Sequence, residues 1–341
     1  MDDRVLTARE LNRALLARQL LLERSALPLA RAVERMGGIQ AQYALAAYIG
    51  LWSRVRGFER ADLTSALERR DLVQATLLRG TIHVVSAEDY WPWADAIREP
   101  RREWLRRALP RIAALDLEGA ARTLRDALAD RPRTRDELVG LVGKDAWQGT
   151  SLDLVRVPPS GTWERRRADL YAMAESWIPR KETARDDCVD LLARRYLGAF
   201  GPAHAADIRL WSGLATTDVR AAIARLGLRR FHDETGKELV DLADAPLPAA
   251  DTPAPARFIA TWDAMLLVHA RRTGVLPEEL RPKVFQTRLP FSMHTFLLDG
   301  VVAGSWRHEA GRIELDPFRS LTPHERRQLA EEAEALAAFH A

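Results

Sequence analysis

The chain has 341 residues, 47% of them apolar and 29% charged. That is enough for two or three domains with their own cores, and it excludes a disordered or fibrous chain. The formal net charge of +3 does not announce nucleic acid, and no apolar run of about 18 residues offers a membrane span. Cys188 is the only cysteine, which excludes intrachain disulfides and cysteine-rich zinc modules and fits a reducing cytoplasm. The opening MDDRVLTARE has no apolar stretch and does not read as a signal peptide. Only Lys144, Lys181, Lys237 and Lys283 are lysines; the other basic residues are arginine. A GC-rich genome explains such a bias as well as function does, so the places where arginines cluster carry more information.

In chain order, Thr7-Ala8-Arg9-Glu10 is a capping box before a leucine-rich helix to about Leu22. A second helix runs from near Pro28 to Met36 and stops at Gly37, a helix C′ residue. Helices follow over Tyr43 to Val55 and Arg60 to Arg69. Leu72 to Leu78 and Thr81 to Val85 read as a hairpin turning at Arg79-Gly80. Helices followed by a hairpin form the pattern of a winged helix. Ser86 then caps a long helix in which Arg98, Arg102 and Arg106 recur every four residues. Such a stripe is either a solvated face partnered by Glu99 and Glu103 or a track for phosphates.

The helix–hairpin pattern recurs twice. Helices over Leu117 to Ala129 and, behind the capping box Thr134-Arg135-Asp136-Glu137, to Val142 precede a strand from Leu152 to Val157. Its return is expected from Thr162 onward, with Arg165, Arg166 and Arg167 at the tip, where a wing meets the sugar-phosphate backbone. The third copy has helices from Ala184 to Phe200, from Gly201-Pro202 to Trp211, and from a Thr217 cap to Gly227, then strands Leu228 to His232 and Lys237 to Leu242. Its recognition-position helix, TDVRAAIARL, is mostly alanine and aliphatic. A base-reading helix usually presents Arg, Asn or Gln in a row, so this one argues against a sequence-specific repressor. A Pro/Ala-rich linker, Ala245 to Pro255, leads to strands over Phe258 to Thr261, Lys283 to Phe285, Thr295 to Leu298, Val301 to Trp306 and Arg312 to Leu315. Asp299-Gly300 is a hairpin signal, and the strands suggest a small barrel-like unit. Thr322-Pro323-His324-Glu325 caps a last amphipathic helix.

Few residues advertise chemistry. The histidines are scattered without zincin spacing, and there is no phosphate loop, dinucleotide fingerprint or Gly-x-Ser-x-Gly elbow. His83 between wing-strand residues reads as a core or structural histidine. Asp263 and His269, with Arg271-Arg272 beyond, are either functional or a salt-bridged strand end. There remains Met36-Gly37-Gly38-Ile39-Gln40-Ala41-Gln42-Tyr43. In an extended segment residues two apart point the same way, so Gln40 and Gln42 can present two amides to one point. They can equally satisfy backbone groups at a helix junction.

Gly37-Gly38-Ile39-Gln40-Ala41-Gln42, Leu78-Arg79-Gly80-Thr81-Ile82-His83, Pro158-Pro159-Ser160-Gly161-Thr162-Trp163, Tyr196-Leu197-Gly198-Ala199-Phe200-Gly201-Pro202 and Asp263, taken together, resemble the AlkZ-type winged-helix DNA glycosylases over nearly the whole chain. The resemblance implies an α+β fold, mainly α. It has three tandem winged-helix units (1–115, 116–182, 183–244) and a C-terminal β unit (256–341) around a C-shaped channel for duplex DNA. The family's catalytic Gln-x-Gln maps onto Gln40 and Gln42; a sister branch carries Gln-x-Asp, and this chain does not. Arg79, Arg165 and Arg166 at two wing tips are the candidate backbone contacts. His83 and Asp263 join them as DNA-facing residues, and the Asp299–Gly300 hairpin is a candidate groove probe. The glutamine branch implies removal of alkylated, including bulky or crosslinked, guanines from double-stranded DNA; a monomer without metal or cofactor is expected. A glutamine cannot take a proton at neutral pH, so the reading requires a base already cationic from N7 or N3 alkylation. With no lysine near the glutamines in sequence, a monofunctional enzyme leaving an abasic site is expected. The competing reading is a non-enzymatic winged-helix DNA binder or regulator.

Overall fold

A computed structural model describes residues 4–270, 272–286 and 291–341 of the chain. The N-terminal helix Ala8–Arg18 starts as expected, with both capping-box bonds between Thr7 and Glu10 formed. It carries two buried arginines that tie it to the second half of the chain. Arg18 meets Asp241 at 2.6 Å with both side chains fully buried, and Arg13 donates to the Thr252 carbonyl and to Asp299. Helix Leu29–Arg35 is closed by the Gly38 N–H on the Val33 carbonyl. Gly37 and Gly38 both take positive φ, +72° and +73°, the conformation that glycine adopts at least cost. The chain therefore leaves the helix and enters a short strand, Ile39–Gln40, before helix Ala44–Trp52.

That strand is one edge of a six-stranded antiparallel sheet. Its order is Ile39–Gln40, Ile82–Ser86, Leu72–Thr76, Leu154–Arg156, Leu170–Met173 and Arg133–Thr134. The first two hairpins thus share one sheet, joined where Gln74 faces Arg156 and Ala75 faces Val155. The second hairpin differs from expectation: its return strand begins at Leu170, not Thr162. The intervening loop is organised by the Ser160 hydroxyl, which donates to the Arg167 carbonyl and accepts from the Asp169 and Leu170 N–H groups. Gln74 reaches across to the Gly161 carbonyl at 2.9 Å and pins this loop to the first hairpin.

The long helix Ala87–Ala108 and helix Arg185–Phe200 pack on the sheet around Trp93, Tyr196, Phe200 and Trp211. Strands Arg229–Asp233 and Glu238–Asp241 pair as expected, and Val5–Leu6 adds to them in parallel. Helix Thr216–Arg225 is preceded by Ala215, so Thr217 lies inside the helix and does not cap it. The C-terminal strands Arg257–Ile259, Thr295–Leu298, Val301–Glu309 and Arg312–Pro317 make an open four-stranded sheet, not a barrel. Lys283 lies in a helical turn, Arg281–Val284, and only Phe285–Gln286 is strand. A second core joins this sheet to the first helices: Tyr48 and Trp52 share it with Phe258, Phe296, Trp306 and the terminal helix Pro323–His340.

Candidate active site

Gln40 and Gln42 stand on the extended segment that the glycines allow. Gln40 lies opposite His83 in the sheet, and the Ala41 N–H continues the ladder to the Ile82 carbonyl at 2.8 Å. Ala41, between the glutamines, is buried, while Gln40 is half-buried and Gln42 exposed. Gln40 ends the strand, and Gln42 stands at the bend before helix Ala44–Trp52. Each amide is held by one donor. Gln40 Oε1 accepts from Arg79 Nη2 at 3.2 Å, and Gln42 Oε1 accepts from the Ile82 N–H at 3.3 Å. A carbonyl oxygen has a second lone pair, so both remain able to accept from, or point at, something outside the protein. The strand is braced from behind. A Cβ on Gly37 would lie 3.0 Å from the Ala199 Cβ, and Gln19 donates to the Met36 and Ala199 carbonyls. The Gly-Gly-Ile-Gln and Leu-Gly-Ala-Phe-Gly-Pro stretches therefore meet in space.

Arg79 does not project freely from a wing tip. It sits at φ +53° in the turn, gives Nη1 to the Trp211 carbonyl and Nη2 to Gln40. Its side chain keeps accessible surface but lies in a crowded cleft, and desolvation pushes its guanidinium down to about 10; it stays charged at neutral pH. His83 is buried and bonds the Thr81 carbonyl through Nδ1 at 3.0 Å. Burial, with the Arg79 charge adding to it, pushes His83 down to about 3. His269 is buried too and held well below its ordinary value by burial and then by Arg79 and His83. Both histidines are thus neutral groups around a fixed cation.

Asp263 meets Arg54 through both carboxylate oxygens, at 2.8 and 3.0 Å, with side chains 7% and 4% exposed. The same carboxylate accepts from the Met265 N–H. Gln40, Gln19, Arg54 and Asp263 together line a cavity of about 20 Å³, room for about one water. Asp263 is therefore brought beside Gln40, as part of a buried ion pair. Arg54 and Gln19 were missed in the sequence. The available signal was a single arginine closing the apolar run ALAAYIGLWSR, where an unpaired charge is costly to bury. Arg271 lies outside the described residues.

Arg165 and Arg166 are exposed in the loop after Trp163. Arg165 approaches Asp169 at 3.6 Å; Arg167 pairs with Asp169 at 2.8 Å. Trp163 anchors this loop against Tyr48, Phe339 and His340. In the long-helix stripe, Arg98 is taken by Asp95 and Asp153 and Arg102 by Glu99. Arg102 and Arg106 also line a groove with Arg122 and Arg125. The Asp299–Gly300 turn is not a free probe. Asn12 donates to the Gly300 carbonyl at 2.9 Å, Arg9 and Arg13 hold Asp299, and a Gly300 Cβ would collide with Leu16.

Among the described residues no group of three or more His, Cys, Asp or Glu side chains is placed to hold a metal ion. No helix among them is long and apolar enough to cross a membrane. Residues 33–339 match the AlkZ-like family, described as DNA glycosylase AlkZ-like. The fold is similar to that of Streptomyces sahachiroi DNA glycosylase AlkZ, with a TM-score of 0.83 over 99% of this chain and 98% of that one. At 20% identity the likeness is one of fold. Among curated protein sequences none matches the chain.

Proposed function

From the premise that the chain belongs to the AlkZ-like DNA glycosylase family, we propose that it is a monofunctional DNA repair glycosylase. It hydrolyses the N-glycosidic bond of cationic N7- or N3-alkylated purines in duplex DNA and leaves an abasic site. The observation that carries the reading is the pair Gln40 and Gln42, each with its amide oxygen fixed by one donor on an extended, braced segment. Alkylation has already placed positive charge on the base. The glycosidic electrons leave with it, the base departs neutral, and positive charge develops on the sugar. Two fixed carbonyl dipoles offset that charge and orient the incoming water, which loses its proton to solvent after it adds. Neither amide takes up a proton, so a neutral base is not a substrate.

The hairpins and helices are read as three winged-helix units around a DNA channel, with Arg166 and the Arg102–Arg106 groove along the backbone path. An open channel that leaves the lesion stacked suits bulky adducts and interstrand crosslinks, which resist flipping into a pocket. No lysine among the described residues lines the cavity beside Gln40, which supports hydrolysis over Schiff-base chemistry. The regulator reading loses a further support: in helix Thr216–Arg225, Arg225 is taken by Asp190 and Asp218 by Arg185.

The test is incubation with duplex DNA carrying N7-methylguanine, followed by alkaline cleavage of abasic sites. Release by the wild type, reduced about 10²–10³-fold in Gln40→Ala or Gln42→Ala, is the expected result. Wild-type rates in both variants, or no release from any cationic purine, would overturn the proposal.

A further inference from the structure

A cleft of about 660 Å³ lies between the first hairpin, the long helix Ala87–Ala108, residues 147–156 and Ser212–Gly213. Its size is that of a small-ligand site. Its charge is unbalanced: Arg79, Arg98, Arg101, Arg135 and Arg156 line it against the single carboxylate of Asp153. That carboxylate is already taken by Arg98 at 2.8 Å. Among the described residues the other four arginines have no ion pair. Arg101 reaches only the Thr76 carbonyl, at 3.4 Å. Arg156 is nine-tenths buried; it gives Nε to the Ala168 carbonyl, lays its guanidinium over Tyr171 at 5.0 Å, and leaves Nη1 without a partner. Burial lowers both Arg101 and Arg156, and the neighbouring Arg101 charge adds to the effect on Arg156. Buried cations without counterions are costly unless an anion joins them. Guanidinium groups converging on one space match phosphate oxygens.

The lining also includes aromatic rings, among them Trp104, Trp147 and Tyr171. Trp147 packs edge-on to Tyr171 at 5.3 Å. Trp104, a large ring 58% exposed, also lines the cleft. A flat ring system stacks on such a surface.

We propose that this cleft binds a nucleoside monophosphate unit, with the base on Trp104 and Trp147 and the phosphate among Arg79, Arg101 and Arg156. The unit comes either from a nucleotide swung out of the bound duplex or from free nucleotide. The site goes beyond base release at Gln40 and does not require it, although Arg79 touches both places.

Calorimetric titration of the full chain with deoxyguanosine monophosphate tests the proposal, with deoxyguanosine and inorganic phosphate as controls. The nucleotide is expected to bind, each half alone about tenfold or more weaker, and Arg101→Gln or Trp104→Ala to weaken it about tenfold. Trp104 is exposed, so its variant carries the test if Arg101→Gln does not fold. In parallel, a duplex carrying 2-aminopurine is bound to the protein. A change in emission on binding that Trp104→Ala alters assigns the site to an extruded nucleotide; emission that is the same in both proteins, with nucleotide binding intact, assigns it to free nucleotide. Loss of both signals, equal affinity for phosphate alone, or binding unchanged in both variants would overturn the proposal. None of these readouts needs base release, so this idea and the glycosylase proposal fail separately.

Discussion

Replacing Arg79 with methionine separates two roles that this residue can play. The side chain bonds the Trp211 carbonyl and, at 3.2 Å, the oxygen of Gln40. A hydrogen bond from a charged donor is worth about 1.5–3 kcal/mol net, and each 1.4 kcal/mol is about tenfold in rate. Losing the tether should slow single-turnover release of N7-methylguanine by about 10- to 100-fold, less than deleting the Gln40 amide itself. The orphaned Trp211 carbonyl should cost about 1–3 kcal/mol of stability in urea unfolding. If Arg79 instead contacts a phosphate, the change appears in binding: the slope of log affinity against log salt drops by about 0.9. Release at the wild-type rate in Arg79→Met, with or without a change in salt slope, would refute the argument that Arg79 positions Gln40.

Acid should destabilise the protein through its neutral, buried histidines. His83 is held at about 3 against an ordinary value of 6.5. Its contribution is complete above about pH 6.5 and is lost as pH falls toward 3, amounting to about 2 kcal/mol by pH 5. Urea unfolding of His83→Gln should show a shallower loss between neutral pH and pH 5; an unchanged slope would contradict this. Asp263→Asn strands a buried Arg54 charge and should cost about 3–5 kcal/mol, while Arg54→Met with Asp263→Leu should cost less than either single change. A double-variant cost equal to the sum of the two single costs would show that the pair is not coupled. Arg166 is exposed and has no ion pair among the described residues. Arg166→Gln should weaken duplex binding without regard to sequence, lower the salt slope by about 0.9 and leave the melting temperature unchanged; an unaltered slope would remove it from the backbone path.

Local chemistry was legible in the sequence. The boxes at Thr7, Thr134 and Thr322 each form both of their bonds. Asp299 and Gly300 take the two positive φ values of a tight hairpin, and Gly37–Gly38 turn the chain into an extended Gln40 as their composition implied. What the sequence hid was long-range. Nothing near Gln74 says that it will face Arg156 and fuse two hairpins into one sheet. The Ser160 hydroxyl organises as a loop the stretch from Thr162 expected to be the return strand. The run of short C-terminal strands suggests a barrel, but closure depends on pairing partners that a count of strands does not name. The neighbours of Gln40 were hidden for the same reason: Arg54 lies 14 positions away in the chain and Asp263 more than 200, and only the packing of the C-terminal unit on the first helices brings them to one cavity.

The central claim is that Gln40 and Gln42 break only a bond that the lesion has already weakened. Its most direct measurement compares, under single turnover, release of N7-methylguanine and of uracil from otherwise identical duplexes. Release of the cationic base, dependent on both glutamines, is expected, with none of the neutral one above the uncatalysed background. Uracil release at a comparable rate would contradict it, because two amides that take no proton cannot activate a neutral leaving group.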